Sequence, residues 1–580
     1  MAANKKVVIL GLDGLEPKLL EKYISQGELP NFQKLSDSYY SKLATSNPPQ
    51  SPVAWSNFIT NNTPKDHQVF DFITRDPQNL LPHLTFSHAL NKQNPIKATP
   101  FWEKSLSQDI PTQVLFLPNT FPLPKLNKNK DLLTLISGMG TPGLDGTEST
   151  CHFYSTDKEH LPQEARSHLI HIEDQQTIDT HIKGPRKQTT KGTQFITIPL
   201  KLKSQKDHLR IQVQDQEITL KPDQLSDWIE LKFSLNFLKK LHGTAHFYLK
   251  SLHPLQLYLS PINFHPQNPP FPISQPRNLS SQLTDNFDFY STLGLPNDTW
   301  ALEHDFITPK IFLKIAHQII DKREQIFLQQ LKNFSGGLFV SYFNTPDPIQ
   351  HMFWKNKNTE GDPHQSAIKD VYKRLDQTLG KFQKHLKKND LFIVLSDHGF
   401  GPLNYHVNLN NLLIENNLLT LKKNKKTNDL LQNTNWKKTK AYALGFNSIY
   451  LNLKNREKHG VVTSKQEPQV TKKIIKILEN LSFQGESVIN HVYTKKELNI
   501  SNLNNAPDLI VGYKKGFRAS WETAVGDLGE RVLTKNNQKW SGDHLFDGQL
   551  VPGILLSNQK LKIKNPKISD ITTLGLRYLK

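Results

Sequence analysis

The fragment LFIVLSDHGF sets Asp397 and His398 side by side at the end of an apolar run, with Gly399 directly behind them. A carboxylate and an imidazole are hard-to-borderline donors that suit zinc or manganese. Glycine lets the backbone turn sharply around an ion. In GLFVSYFNTPDPIQHMFW the same two residue types recur four apart, as Asp347 and His351. On a helix starting after Pro348 they share one face and can reach one metal. His544 stands in a glycine-flanked loop, WSGDHLFDG, and Asp13 directly follows the apolar run VVILGL. Alone, Asp13 reads equally well as a helix cap and His544 as a solvent-facing loop residue.

Ser51 lies in LATSNPPQSPVAWSNFITNNTPKDHQV, immediately before Pro52. Proline at the first helical position has a preset φ and no amide hydrogen to waste, which puts Ser51 at the N-cap. There it faces unpaired N–H groups and the positive helix end, an arrangement that takes phosphate readily. A serine hydroxyl is a poor nucleophile until a base or a metal lowers its pKa. Together the three Asp, three His and Ser51 make two sets of nitrogen and oxygen donors. Two metals about 4 Å apart are the standard clamp for in-line displacement at phosphorus, one activating the attacking oxygen and the other stabilising a leaving or nonbridging oxygen.

Such a site needs strand ends brought together from distant parts of the chain. From residue 6 to about 140, short apolar runs alternate with helical patterns: VVILGL, then an amphipathic stretch from Glu16 to Gln26, then PFWEKSLSQ before QVLFLP. After about residue 305 the alternation resumes, with a long helix through Arg323, the strand GLFVSYF, a helix to Lys388, and LFIVLSD. SIYLNL, PDLIVGY and PGILL are further strand candidates, and a helical pattern near Ile571 to Tyr578 is placed to close the sheet. Alternating strand and helix is the mark of a mostly parallel central sheet flanked by helices, an α/β core. Between the halves, FITIPLKL, LRIQVQ, EITL and HFYLKSLHPLQLYLS alternate with period two, as half-buried antiparallel strands do. We therefore expect a first core segment at 1–140, a β-rich insertion at 141–275 and a second core segment at 276–580, with the Pro-rich tract Asn268 to Pro276 as the return linker.

The totals agree with a multi-domain globular chain: 580 residues, 36% of them hydrophobic. No window approaches the roughly 18 uninterrupted apolar residues of a membrane span. The N-terminal stretch is too short and too early interrupted by Asp13 to be a signal peptide. Cys151 is the single cysteine, so no intrachain disulfide forms, which fits a cytoplasmic, reducing setting. Net charge is +19, but the lysines are dispersed in clusters such as Lys422 to Lys426 and Lys437 to Lys440, without any nucleic-acid-binding signature. No specific nucleic-acid partner is expected; the expected partner is a small phosphate ester.

The order Asp13, Ser51, Asp347–His351, Asp397–His398, His544 resembles the alkaline phosphatase superfamily, and within it the type I phosphodiesterase/nucleotide pyrophosphatase branch. FYSTLGLPNDTWAL with FNTPDPIQHMFW downstream resembles bacterial members carrying a large insertion. The resemblance implies one divalent metal held by Asp13, Ser51, Asp397 and His398, and a second held by Asp347, His351 and His544. It implies zinc ahead of manganese, and a phosphohydrolase passing through a phospho-Ser51 intermediate. Ser51 stands where this branch typically has threonine, His67–Gln68 replaces an expected His-Gly pair, and Phe72 stands where an asparagine is expected to contact phosphate. Arg75, in DFITRDP, is the candidate replacement contact. Sulfatases need a modifiable Cys or Ser followed by a characteristic Arg, which SPVAW lacks. The alternatives are a phosphomutase or phosphotransferase of the same superfamily, and a non-catalytic binding protein that kept its metal site.

Overall fold

The computed structural model describes residues 5–86, 94–126, 129–147, 150–157, 167–189, 192–236 and 239–580. Residues 1–4 of the N-terminal stretch, and parts of the 141–275 segment, lie outside them. Eight strands form the central sheet in the order Ser274–Gln275, Leu133–Ile136, Thr112–Leu115, Gly337–Phe343, Lys6–Leu12, Leu391–Leu395, Gly553–Ser557 and Tyr40–Leu43. The strands from Leu133–Ile136 to Leu391–Leu395 run parallel, and antiparallel pairing is confined to the two edges.

Near-continuous apolar runs are what a sheet covered on both faces requires. Val8, Leu10 and Leu12 pack into one core with Phe339, Phe343, Phe392 and Val394. Val7 and Ile9 pack into another with Leu338, Val340, Leu391, Ile393 and Leu395. Helices Pro17–Ser25, Pro30–Ser38, Pro309–Asn333 and Ala367–Gln383 supply side chains to the first core. Helices Ser51–Thr60, Phe101–Leu106 and Ile571–Leu579 supply the second. The last of these covers the sheet face rather than closing an edge, with Gly575 against Val7 and Leu338.

Every residue of Ser51–Thr60 is buried, so the helix is apolar on all sides but for hydroxyls and the Asn57 amide, which bond within the fold. Ser56 Oγ donates to Pro52 O at 2.7 Å and Thr60 Oγ1 to Ser56 O at 2.8 Å. Its Trp55 lies flat on the first strand at Gly11, where an added Cβ would sit 2.5 Å from the ring. Only glycine lets the helix approach that closely, and the approach brings Ser51 over Asp13.

The runs between the core segments form three smaller sheets. Gln216–Leu220, Leu209–Val213, Gly192–Ser204 and Thr177–Thr189 make one; Gln224–Leu225, Phe247–Leu252, Leu255–Leu259, His152–Ser155 and His168–His171 a second; Ile229–Ser234, Lys240–Ala245 and Asn263–Phe264 a third. Pairing is antiparallel as expected, except that His152–Ser155 and His168–His171 run parallel. The Pro-rich tract is more than a linker: Ser274–Gln275 joins the central sheet as its edge strand, pairing with Leu135 and Ile136. Two strand candidates do not extend the central sheet. Ser448–Leu451 and Leu509–Tyr513 pair in a separate sheet with Ala441–Ala443 and Ile489–Thr494. An apolar run specifies a buried strand but not its partner. Among the described residues no helix is long and apolar enough to cross a membrane.

Candidate active site and metal centre

Parallel pairing puts the carboxyl ends of Lys6–Leu12, Gly337–Phe343 and Leu391–Leu395 at one end of the sheet, where open α/β sheets form their ligand crevice. Asp13 follows the first, Asp347 and His351 the second, Asp397 and His398 the third. The loops are tied to one another: Asp13 N donates to Phe343 O at 3.0 Å and Gly14 N to Asp397 Oδ1 at 3.2 Å. Gly14 has φ +70°, and a Cβ there would lie 2.9 Å from Phe400 and 3.2 Å from Asp347 Oδ1. Asp347 and His351 are both inside helix Pro346–Phe353, which begins two residues before the expected Pro348.

Ser51 is the first residue of its helix, and the cap is Gln50, extended at φ −101° and ψ 135°. The expectation of Ser51 as N-cap is off by one because proline fits throughout the first helical turn and marks that turn rather than a single position. The difference matters chemically. The Ser51 hydroxyl is not used as a cap; its Oγ lies 3.2 Å from His398 Nε2 and 3.4 Å from Asp13 Oδ1.

His398 Nε2 is also 3.4 Å from Asp13 Oδ1 and 3.3 Å from Asp397 Oδ2. In the second group, His351 Nε2 lies 3.3 Å from Asp347 Oδ2, and His544 Nε2 lies 3.6 Å from Asp347 Oδ1. The seven side chains named from the sequence thus lie in one cluster, with the His398 and His544 rings in contact between the two groups. Asp347 is the most open of the ion-pairing carboxylates here, with a side chain 19% exposed.

Each imidazole is held by a main-chain carbonyl. His351 Nδ1 donates to Gly542 O at 2.7 Å, His398 Nδ1 to Gly399 O at 3.1 Å, and His544 Nδ1 to Pro49 O at 2.7 Å. A carbonyl only accepts, so Nδ1 carries the proton and the neutral ring offers a lone pair at Nε2. Those lone pairs face carboxylate oxygens, which when ionised have no hydrogen to give. Among the described residues, Asp347 Oδ1 and Asp397 Oδ2 are buried without a hydrogen-bond partner. Donors facing one another at these distances fit a cation: zinc bonds of about 2.0–2.1 Å in a tetrahedron put neighbouring donor atoms roughly 3.3–3.4 Å apart.

The electrostatics point the same way. Burial pushes Asp13 well above the ordinary carboxylate range, and neighbouring Asp397 and Asp347 push it further. Burial, then Asp347, raises Asp397 to about 7. Burial and the adjacent His544 ring hold His398 well below the ordinary imidazole range. Burial lowers His544 as well, against the pull of Asp347 and Asp543. For His351, burial acts downward, but Asp347, Asp543 and the Gly542 carbonyl together outweigh it, and the net shift is upward. Carboxylates crowded into a dry space repel until a cation sits among them.

Several supporting residues were not legible beforehand. The Tyr342 hydroxyl donates to Asp13 Oδ2. Gln350 Nε2 donates to Gly14 O at 2.6 Å while its Oε1 accepts from Tyr372 at 3.1 Å, joining the Asp13 loop to the Asp347 helix. Asp543 accepts from His544 N at 2.7 Å, Leu545 N at 2.9 Å and Trp540 Nε1 at 2.9 Å. Trp540 in turn stacks on His351, with ring centroids 3.8 Å apart. Adjacency to His544 in WSGDH was the one signal in the chain for Asp543 and Trp540.

Arg75 is a correction. It is neither on the surface nor free for a substrate. Nε donates to Tyr442 at 2.7 Å, Nη1 to Asn505 O at 3.3 Å, and Nη2 to Glu457 at 2.7 Å, and the guanidinium lies over the Tyr450 ring. A buried guanidinium needs these acceptors to offset its desolvation. His67 is also structural, donating from Nε2 to Asn57 Oδ1 at 2.7 Å. Phe72 packs edge-on against Phe446 and donates its N–H to Gln50.

A family profile described as Type I phosphodiesterase / nucleotide pyrophosphatase matches residues 7–196 and 261–540. No curated protein sequence matches the chain. Phosphonoacetate hydrolase from Sinorhizobium meliloti 1021, in complex with phosphonoacetate, aligns with a TM-score of 0.50 at 10% identity, covering 100% of this chain and 96% of that one. Murine ectonucleotide pyrophosphatase/phosphodiesterase 5 aligns with a TM-score of 0.42 at 10% identity, over 99% of this chain and 95% of that one. The first alignment speaks to the fold, an alkaline phosphatase-like sheet between helices. Since the profile spans most of the chain, including all seven clustered positions but His544, the protein belongs to the type I phosphodiesterase / nucleotide pyrophosphatase family.

Proposed function

We propose that the protein is a two-metal phosphoester hydrolase in which Ser51 is the nucleophile. The observation that carries this reading is the Ser51 hydroxyl at a helix N-terminus, free of capping duty and facing His398 Nε2 and Asp13 Oδ1. Asp13, Ser51, Asp397 and His398 would hold one divalent ion, and Asp347, His351 and His544 the other. Two imidazoles beside one carboxylate in the second set favour zinc over manganese. When bound, the ions supply Lewis-acid stabilisation of charge on the attacking, leaving and nonbridging oxygens.

Ser51 Oγ attacks phosphorus as the bond to the departing oxygen breaks, leaving a phospho-Ser51 ester. Water then displaces Ser51 from phosphorus, and the hydroxyl is regenerated. Within the first helical turn Pro52 has no N–H, and Val53 N and Ala54 N donate to Gln50 O at 2.9 and 2.8 Å, so the helix would offer the phosphoryl group its positive end and the Ser51 N–H. The main-chain carbonyls at Pro49, Gly399 and Gly542 keep each imidazole in one tautomer. A cytoplasmic setting belongs to the same proposal, since Cys151 is the one cysteine and is buried beside Ser167.

Hydrolysis of bis-p-nitrophenyl phosphate and p-nitrophenyl phosphate under zinc and manganese tests the reading. Ser51→Ala is expected to lower kcat by about a thousandfold or more, a loss of roughly 4 kcal/mol of transition-state stabilisation. Undiminished turnover in that variant, or fewer than two bound transition ions per chain after chelator-free purification, would count against it. Transfer of label to a small alcohol in preference to water would make the enzyme a phosphotransferase.

A further inference from the structure

Arg518 is a fully buried cation that the reaction described above does not use. Its side chain is 0% exposed, and among the described residues Nε, Nη1 and Nη2 all lack a hydrogen-bond partner. The nearest anion is Asp543, whose Oδ2 lies 3.3 Å from Nε. That carboxylate balances the charge, but its oxygens already accept from His544 N, Leu545 N and Trp540 Nε1. A guanidinium carries five N–H donors in a rigid fork. One shared oxygen leaves most of the fork without an acceptor.

Location connects this residue to the metal cluster. Arg518 lies in strand Gly516–Ala519, paired beside His406 of Gly401–Val407, the strand that begins three residues after His398. Gly401 at the start of that strand is paired with Asp543. The guanidinium carbon sits 4.4 Å from the Trp521 ring centre and 5.0 Å from that of Phe446. Trp521 meets Trp540 edge-on at 5.4 Å, and Trp540 stacks on His351. Phe446 meets Phe72, the residue that replaces the expected phosphate-binding asparagine. A chain of aromatic contacts therefore runs from His351 of the metal cluster through Trp540 and Trp521 to Arg518. Aromatic faces support the plane of the guanidinium and leave its N–H edges for a planar or tetrahedral oxyanion. The Tyr513 hydroxyl, which feels the Arg518 charge, is likewise buried without a hydrogen-bond partner among the described residues.

We propose that Arg518 receives a second anionic group of the substrate, a carboxylate or phosphate carried on the ester arm that stays bonded to phosphorus when the other arm departs. This rests on the reading of phosphoester hydrolysis at Ser51, and it narrows the substrate class to esters bearing an anion besides the reacting phosphate. Asp543 is then a positioning residue, orienting the guanidinium on one side and the His544 main chain on the other.

The test uses p-nitrophenyl phosphodiesters of the full-length, metal-loaded protein, with a butyl, a carboxypropyl or a phosphonopropyl second arm. Wild type is expected to favour one charged arm over butyl by about tenfold or more in kcat/KM, and which charged arm wins tells a carboxylate site from a phosphate site. Arg518→Gln is expected to bring that ratio to about one, and Arg518→Lys, which keeps charge but loses the fork, to lower it by roughly threefold or more. A wild-type ratio near one overturns the proposal without any variant. So does a ratio unchanged in Arg518→Gln, or in Arg518→Lys should the glutamine variant not fold, since a merely structural arginine would move all rates together. Calorimetric binding of the same esters to Ser51→Ala separates the two readings. If wild type hydrolyses none of them, the reaction assigned to Ser51 is wrong, while a preference for the charged arm in binding, lost on adding Arg518→Gln, still upholds Arg518.

Discussion

His398 and His544 lie face to face, with ring centroids 3.5 Å apart and planes 9° from parallel. One follows a central strand and the other sits in a loop far along the chain, yet each presents Nε2 to a different set of carboxylates. The stack makes the position of one donor depend on the other. His544→Ala is therefore expected to remove one bound ion and to weaken the second by about tenfold, as loss of a supporting contact typically does. Metal analysis gives the count and chelator competition the affinity; full retention of the remaining ion's affinity would show the two groups to be independent. Combined with His398→Ala, the losses should not add.

Tyr342 tests the support of Asp13. Its hydroxyl donates to Asp13 Oδ2, while its ring packs on Trp55 with centroids 5.0 Å apart. Tyr342→Phe removes the donor and keeps the packing. Metal affinity should fall by about 10–100-fold with the folded structure retained, read by zinc competition beside circular dichroism.

Arg75 offers a contrast between a structural and a substrate-binding arginine. Arg75→Ala leaves Tyr442 and Glu457 without their buried partner, although Arg456 still reaches Glu457 at 2.9 Å. We expect a loss of roughly 3 kcal/mol in urea unfolding, the low end for breaking a buried pair because that second arginine remains. The kcat/KM of the folded fraction should stay within about twofold, since a group outside the site does not enter transition-state binding.

Asp71 gives a pH dependence away from the metal cluster. Its carboxylate is buried, accepts from Phe446 N at 3.0 Å and Ile73 N at 3.2 Å, and burial raises it from 3.8 to about 6. The folded chain thus holds this proton more tightly than the unfolded one. Its stabilising contribution is full below pH 3.8 and is lost as pH rises through 6. Relative to Asp71→Asn, wild type should lose roughly 1 kcal/mol between about pH 5 and pH 7.5. Denaturant titrations of both proteins at the two pH values give that difference directly; a constant gap would mean the carboxylate is ionised throughout.

The parallel strands were readable because VVILGL, GLFVSYF and LFIVL are apolar at every position but Ser341, as burial on both faces demands. The residues that end those strands were readable because metal donors are few in kind and stood at strand ends. What could not be read was pairing. SIYLNL and PDLIVGY look no different from core strands, but they build their own sheet. Arg75 and Arg518 look alike in the chain as well. One is saturated with acceptors and the other has hardly any, a difference made by Glu457, Tyr442 and Asp543, which arrive from elsewhere. Tyr342 reaches Asp13 and Gln350 reaches Gly14 through hydrogen bonds that span 329 and 336 residues, and such contacts leave no periodicity.

Ile136 and Ser274 face each other as paired neighbours in the central sheet. The long excursion between them therefore leaves and re-enters the sheet at one place, like a side road that returns to its own junction. A lineage can lengthen, shorten or replace that excursion while the two strands beside it stay in register. Asp13, Asp347 and Asp397 are anchored on other strands, so the chemistry and the excursion are free to evolve at different speeds.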